Sequence, residues 1–168
     1  MIGLVLIGMA GWRIMSQKDA TLVAPQRVAD LLLDDSADGR STADYLQTAP
    51  SATVDLDHAL GAVYRDGRGR NVLFAGGTAL MWRPGKALDA AFGLVADDQG
   101  AVTGVHSVAA GPLGGTMECG TTRTDNGEMP VCGWADYGSV AMAMFPQRSE
   151  PEAAGVLREI RSSAQTRA

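Results

Sequence analysis

The stretch MECGTTRTDNGEMPVCGWADYG, Met117 to Gly138, holds both cysteines of the chain, and its reading decides the fold. Cys119 and Cys132 stand 13 positions apart and flank a polar centre carrying Asp125-Asn126-Gly127, a turn signal. The pattern predicts strands near Thr116 to Thr121 and Pro130 to Ala135, joined as a hairpin. A structural zinc site takes four ligands, commonly in close pairs, and His58 and His106 lie far off in sequence. A thioredoxin-like site needs C-x-x-C at a helix start. A disulfide or two buried free thiols remain. If the strands pair, Cys119 and Cys132 face one another at a spacing that suits a bridge, so a Cys119 to Cys132 disulfide is expected.

Working outward, ALGAVYRDGRGRNVLFAGGTA reads as a second hairpin, Leu60 to Arg65 and Asn71 to Ala75 around a Gly- and Asp-rich turn. Pro84 then opens a helix whose Leu88, Ala91, Phe92 and Val95 follow i, i+3, i+4, i+7. A further strand, roughly Ala101 to Ala109, precedes the turn-rich GPLGG. SVAMAMF alternates Val140, Met142 and Met144 with small Ala141 and Ala143. The last helix is punctuated by capping-box spacing at Ser149 and Glu152, acids in its first turn and Arg158 and Arg161 toward its end. The expectation is an α+β domain over residues 53–165. Its antiparallel sheet has about five strands, ordered β-β-α-β-β-β-α, with helices packed on one face.

Residues 16–52 read as a polar linker with two short helices, one in APQRVADLLLDD, where Val28, Leu31 and Leu32 fall at helical spacing, and one over Ser41 to Gln47. Ahead of it, MIGLVLIGMAGW has no charged side chain before Arg13. The run is shorter than the roughly 20 apolar residues of a full span, so residues 1–15 are read as a membrane anchor, possibly truncated. Trp12 and Arg13 resemble the interfacial edge of such a span. Basic residues after the run hint at a cytoplasmic C-terminal side, whereas a disulfide favours the exterior.

A formal charge of -5 and a pI near 4.9 leave no electrostatic footprint for nucleic acid. YGSVA lacks the second glycine of a nucleophile elbow, and PGKAL lacks the lead-in of a P-loop. Asp34, Ser36, Asp38 and Gly39 match the opening of a calcium loop, but Tyr45 stands where the bidentate Glu is needed. No catalytic residue, metal or cofactor is assigned.

GPLGGTMECG, VCGWADYGSV and FPQRSEPEAAGVLREIR resemble uncharacterised actinobacterial proteins with a short N-terminal anchor, a variable linker and a C-terminal Cys-Gly, Cys-Gly-Trp-Ala-Asp domain. The resemblance spans roughly Ala59 to Ser163 and is most specific over Cys132 to Asp136. It implies a membrane-tethered, extracytoplasmic domain carrying the bridge, and brings no activity.

Trp134, Asp136 and Tyr137 admit two readings: a recognition surface beside the bridge, or a tryptophan packed over it with Asp136 capping the turn at Tyr137-Gly138. The favoured function is a non-catalytic interaction or sensor domain on a single anchor, with a cell-envelope protein as partner. One alternative is a small-ligand binder or enzyme with a cleft near Trp134, Asp136 and His106. Another is a soluble cytosolic subunit with free thiols and its apolar start buried in the domain.

Overall fold

The computed structural model describes residues 2–96 and 100–168. In chain order the elements are helix α1 (Ile2–Gln17), strands β1 (Ala20–Leu22), β2 (Arg27–Val28) and β3 (Leu31–Leu33), helix α2 (Ala37–Thr48), strands β4 (His58–Arg65) and β5 (Asn71–Thr78), helix α3 (Pro84–Gly93), strands β6 (Thr103–Val108), β7 (Thr116–Thr124), β8 (Gly127–Ala135) and β9 (Ser139–Met144), helix α4 (Glu150–Ala164) and strand β10 (Gln165–Arg167). A short 3-10 turn, Pro50–Ala52, follows α2.

The hairpin around the cysteines is longer than its polar centre suggests. β7 and β8 pair from Thr116 opposite Ala135 to Thr124 opposite Gly127, closing on a two-residue Asp125-Asn126 turn. Polar residues such as Arg123 and Glu128 occupy strand ends that project into solvent, which is why they read as loop. Cys119 stands directly opposite Cys132 and the two are disulfide-bonded, their Cα atoms 4.1 Å apart. The Cys119 to Cys132 bridge is therefore as expected.

The fold is α+β, with a sheet larger than anticipated. Eight strands run in the order β2-β3-β4-β5-β9-β8-β7-β6, each pair of neighbours antiparallel. Two four-stranded meanders thus meet at β5 and β9, where Leu73 to Thr78 pair with Met144 to Ser139. Six strands lie between His58 and Met144, the strand expected over Ala101 to Ala109 among them as β6, and β2 and β3 from the segment read as a linker bring the sheet to eight. β1 and β10 make a separate two-stranded ribbon that joins the two ends of the domain.

Helices cover both faces of this sheet, a correction to the one-face arrangement. Ala141 and Ala143 of β9 lie in one buried cluster with Trp134, both cysteines and Leu157 and Ile160 of α4. Val140 and Met142 lie in another with Leu88, Ala91 and Phe92 of α3. Leu46 of α2 packs with Val63 and Ala75 on that second face. Both parities of β9 are apolar, as a strand buried on both sides requires. Small residues on the α4 side leave room for the aromatic rings of Phe74 and Trp134, 5.8 Å apart.

Residues 16–52 supply parts of these layers. The helix read in APQRVADLLLDD is instead the β2–β3 hairpin: Leu31 is buried while Leu32 is exposed, an alternation that three adjacent leucines conceal. Ala29 takes the turn with φ of 51°. α2 is longer than expected, capped by Ser36, whose side chain accepts from the Gly39 N–H. It lies so close on β4 that a Cβ at Gly61 would come within 2.0 Å of the Ala43 carbonyl.

α1 has 16 residues, about 24 Å at 1.5 Å per residue, and no described helix is long and apolar enough to cross a membrane. Among its described side chains, Ile7, Met9, Trp12 and Met15 are exposed.

The bridge closes the loop between two neighbouring strands, β7 and β8, and lies wholly inside the α4-side core. Reduction, or the double substitution Cys119→Ala and Cys132→Ala, should lower unfolding free energy by about 3 kcal/mol for a loop of this size, measured by urea unfolding with and without reductant.

Candidate functional site

The densest polar constellation is centred on Asp136, at the end of β8, and it is buried to 1% exposure. One carboxylate oxygen accepts from the N–H groups of Gly138 and Ser139, both at 2.8 Å, and from the Ser139 hydroxyl at 3.0 Å. The other accepts from Arg161 at 2.9 Å, Gln165 at 2.7 Å and Arg167 at 2.7 Å. The Ser139 hydroxyl in turn accepts from the Trp134 indole N–H at 3.0 Å. Arg161 also donates to the carbonyls of Ala110 and Gly114 and to the Gln165 side chain, and its guanidinium carbon lies 5.3 Å from the centroid of the Trp134 ring.

Burial by itself pushes the Asp136 carboxyl up. The hydrogen bonds from Gln165, Gly138 and Arg167, with the charge of Arg161, outweigh it and hold the group below the usual carboxylate range. A carboxylate whose two oxygens already take six donors has no lone pair free for substrate or metal. Its work is to fix the β8–β9 turn, the end of α4 and β10 relative to one another.

Of the three residues read as a recognition surface, Trp134 and Asp136 are inside and only Tyr137 is partly exposed. The capping of Tyr137-Gly138 by Asp136 is as the structural reading has it. His106 does not join them. It sits on the edge strand β6, with one ring nitrogen 2.9 Å from the Glu150 carboxylate and the other 2.9 Å from the Gly104 carbonyl. Glu150 opens α4 while Arg161 lies eleven residues on, about 16 Å along the helix axis. His106 and Asp136 are thus at opposite ends of α4, and the cleft expected near Trp134, Asp136 and His106 does not form.

Sequence reasoning missed Arg161, Gln165, Arg167 and Ser139 as members of this cluster. Arg161 carried a signal: it falls four residues after Leu157 and eight after Ala153, on the apolar stripe of α4, and was read only as a cation suited to the helix end. Gln165 and Arg167 gave none, since β10 exists only by pairing with β1.

At its other end α4 is tied by a second buried carboxylate. Asp66, in the β4–β5 turn, accepts from the side chains of Arg70 at 2.8 Å and Arg148 at 3.1 Å and from the N–H groups of Arg68 and Arg70. Arg70 reaches on to Glu152 at 3.0 Å. Ser149 accepts from the Glu152 N–H at 3.4 Å, the cap anticipated for this helix.

Two clefts bear on what the surface can bind. An apolar cleft of about 270 Å³ lies between α2 and α3, floored by Leu73, Ala75, Met142 and Met144 and closed by Leu46 and Leu94. Thr122, itself buried, is among its lining residues. A polar cleft of about 360 Å³ lies where α1 meets the domain, between Arg13 and Gln17 on one side and Pro84, Gly85 and Tyr137 on the other. Comparison with family models, curated proteins and solved structures finds no match.

Removing the charge of Asp136 leaves Arg161 and Arg167 without a counter-ion, so Asp136→Asn should cost about 3–5 kcal/mol, measured by chemical unfolding at neutral pH. Because the folded carboxyl is held below its unfolded value near 3.9, its stabilisation is complete above that value. It is lost as pH falls through the lower folded one. The Asn variant should show a flatter loss of stability below about pH 4 than the native protein.

Proposed function

We propose that this chain is a membrane-tethered, extracytoplasmic domain that works by binding rather than by catalysis, as an interaction or sensor module for a cell-envelope partner. The observation that carries it is the pairing of an apolar helix held outside the core with a domain whose two cysteines are bridged. Ile7, Met9, Trp12 and Met15 of α1 face solvent, and exposed apolar surface of this kind marks a contact with a membrane or a protein. The bridge favours an oxidising compartment. Asp136, the most tempting acid in the sequence, is saturated by structural donors, which supports a non-catalytic role. The cytosolic reading with free thiols is the weaker one, because Cys119 and Cys132 are bonded and Ile7, Met9, Trp12 and Met15 of the apolar start lie outside the core.

Because both cysteines are buried, a surface reporter tests this reading. Arg68 lies exposed in the β4–β5 turn, and Arg68→Cys in the full chain should react in intact cells with a membrane-impermeant maleimide. The protein should sediment with membranes and resist carbonate extraction. Labelling only after lysis would place the domain inside, and a protein recovered in the supernatant would remove the tether.

A second reading, a small apolar ligand, is favoured by the cleft between α2 and α3. Ligand sites are mostly apolar with a few placed polar groups, and here Thr122 and Thr124 join an otherwise largely apolar lining. Titration with decanol should shift the methyl resonances of Met142 and Met144 while leaving Met117, in the opposite core, unmoved. Equal shifts at all three would mean general loosening and no site.

A further inference from the structure

The segment between β5 and α3 carries large apolar side chains that the core does not use. Met81 is buried on the α3 side, and its N–H donates to the Tyr137 carbonyl at 2.9 Å, pinning the loop. Its neighbours on either side point outward, Leu80 at 44% and Trp82 at 70% exposure. Trp82 is thus displayed by a fixed neighbour. A tryptophan ring left in water on a fixed loop is an amphipathic group without its usual surroundings.

This loop adjoins the root of α1. Gln17 accepts from the Tyr137 N–H at 3.2 Å, and Ala79 donates to the Gly138 carbonyl at 3.3 Å, so the end of α1, the β8–β9 turn and the loop are in direct succession. A Cβ at Gly138 would lie 1.9 Å from the Gln17 carbonyl, which shows how closely the helix is seated. Pro84 and Gly85 share one cleft with Arg13 and Gln17. Trp12, 72% exposed, lies in the last turns of the same helix.

Cations gather at this end of an acidic molecule. The chain carries -5 overall, yet both of its lysines, Lys18 and Lys86, lie here with Arg13 and Arg83. Arg13, Arg83 and Lys86 are exposed and have no ion-pair partner among the described residues; Lys18 pairs with Asp19, Asp89 lies one turn further along α3, and the exposed Asp57 donates its N–H to the Thr78 carbonyl at the root of the loop. Exposed tryptophans bordered by unpaired cations match the depth profile of a bilayer interface with anionic headgroups.

We infer that the loop from Leu80 to Lys86 is a second membrane contact, with Trp82 and Leu80 seated at headgroup depth in an anionic bilayer and Arg13, Arg83 and Lys86 facing its phosphates. The inference rests on the tethered reading and adds to it that the domain lies down on the lipid beside its helix. A single short apolar element binds membranes marginally, and a second basic or apolar signal is what makes such binding stable.

The test uses the full chain carrying Trp12→Phe, in which Trp82 is the exposed tryptophan and Trp134 a buried constant, with Trp12→Phe/Trp82→Phe as the blank. Vesicles of phosphatidylcholine and phosphatidylglycerol, with chains brominated near the headgroup, should quench Trp82 and shield it from aqueous acrylamide. Adding Arg83→Glu and Lys86→Glu should reduce that shielding by about threefold or more, with flotation and near-ultraviolet circular dichroism unchanged. If the protein floats while Trp82 stays open to acrylamide in every vesicle, the second contact is wrong and the tether stands. If shielding is the same in the charge-reversed variant, the anionic surface is not what the loop recognises. A chain that does not float overturns both readings.

Discussion

The carboxylate of Asp136 is the constraint on which the rest of the structure depends. It is buried between the two halves of the chain's last third, and its oxygens are filled by donors from the β8–β9 turn, from α4 and from β10. An ionised carboxylate in such a place is tolerated only because it is fully paired. The pairing has a geometric consequence: the end of α4 cannot shift along the sheet without separating Arg161 from Asp136. β10, held through Gln165 and Arg167, then pairs β1 and brings the N-terminal segment back onto the domain. The seat of α1 is one step further, through Tyr137 and Gln17.

Asp66 repeats the device at the other end of α4. Between the two anchors the helix lays Ala153, Leu157 and Ile160 over the disulfide and Trp134, so the bridge lies beneath a helix fixed at both ends. That arrangement explains why the most distinctive sequence, Cys132 to Asp136, is almost wholly interior. Its residues hold the core together and do not present a surface. The faces that remain for binding are those α4 leaves alone: the cleft between α2 and α3, and the end of the domain where α1 departs.

Much of this architecture was legible in the chain. Alternation and turn residues located the strands of the two hairpins, capping signals located α4, and the cysteine spacing across a polar turn implied the bridge. These are local features, set by covalent geometry and by one side of an element meeting water. The α+β class followed from their order. The candidate site was legible in part: Asp136 as a turn cap could be read from its distance to Gly138, whereas its ion pairs could not.

What tertiary structure decided was everything that depends on the second face of an element. Both parities of β9 are apolar, and only packing shows that one meets α4 and the other α3. Three consecutive leucines are compatible with a helix or a strand until Tyr64 and Arg65 of β4 offer Leu33 and Leu32 a ladder to join. Arg161 looks like a surface cation until a carboxylate 25 residues away is folded against it. Periodicity along a chain reports how one element divides water from core. Which charge meets which, and which face is covered twice, is settled only when distant segments compete for the same buried space.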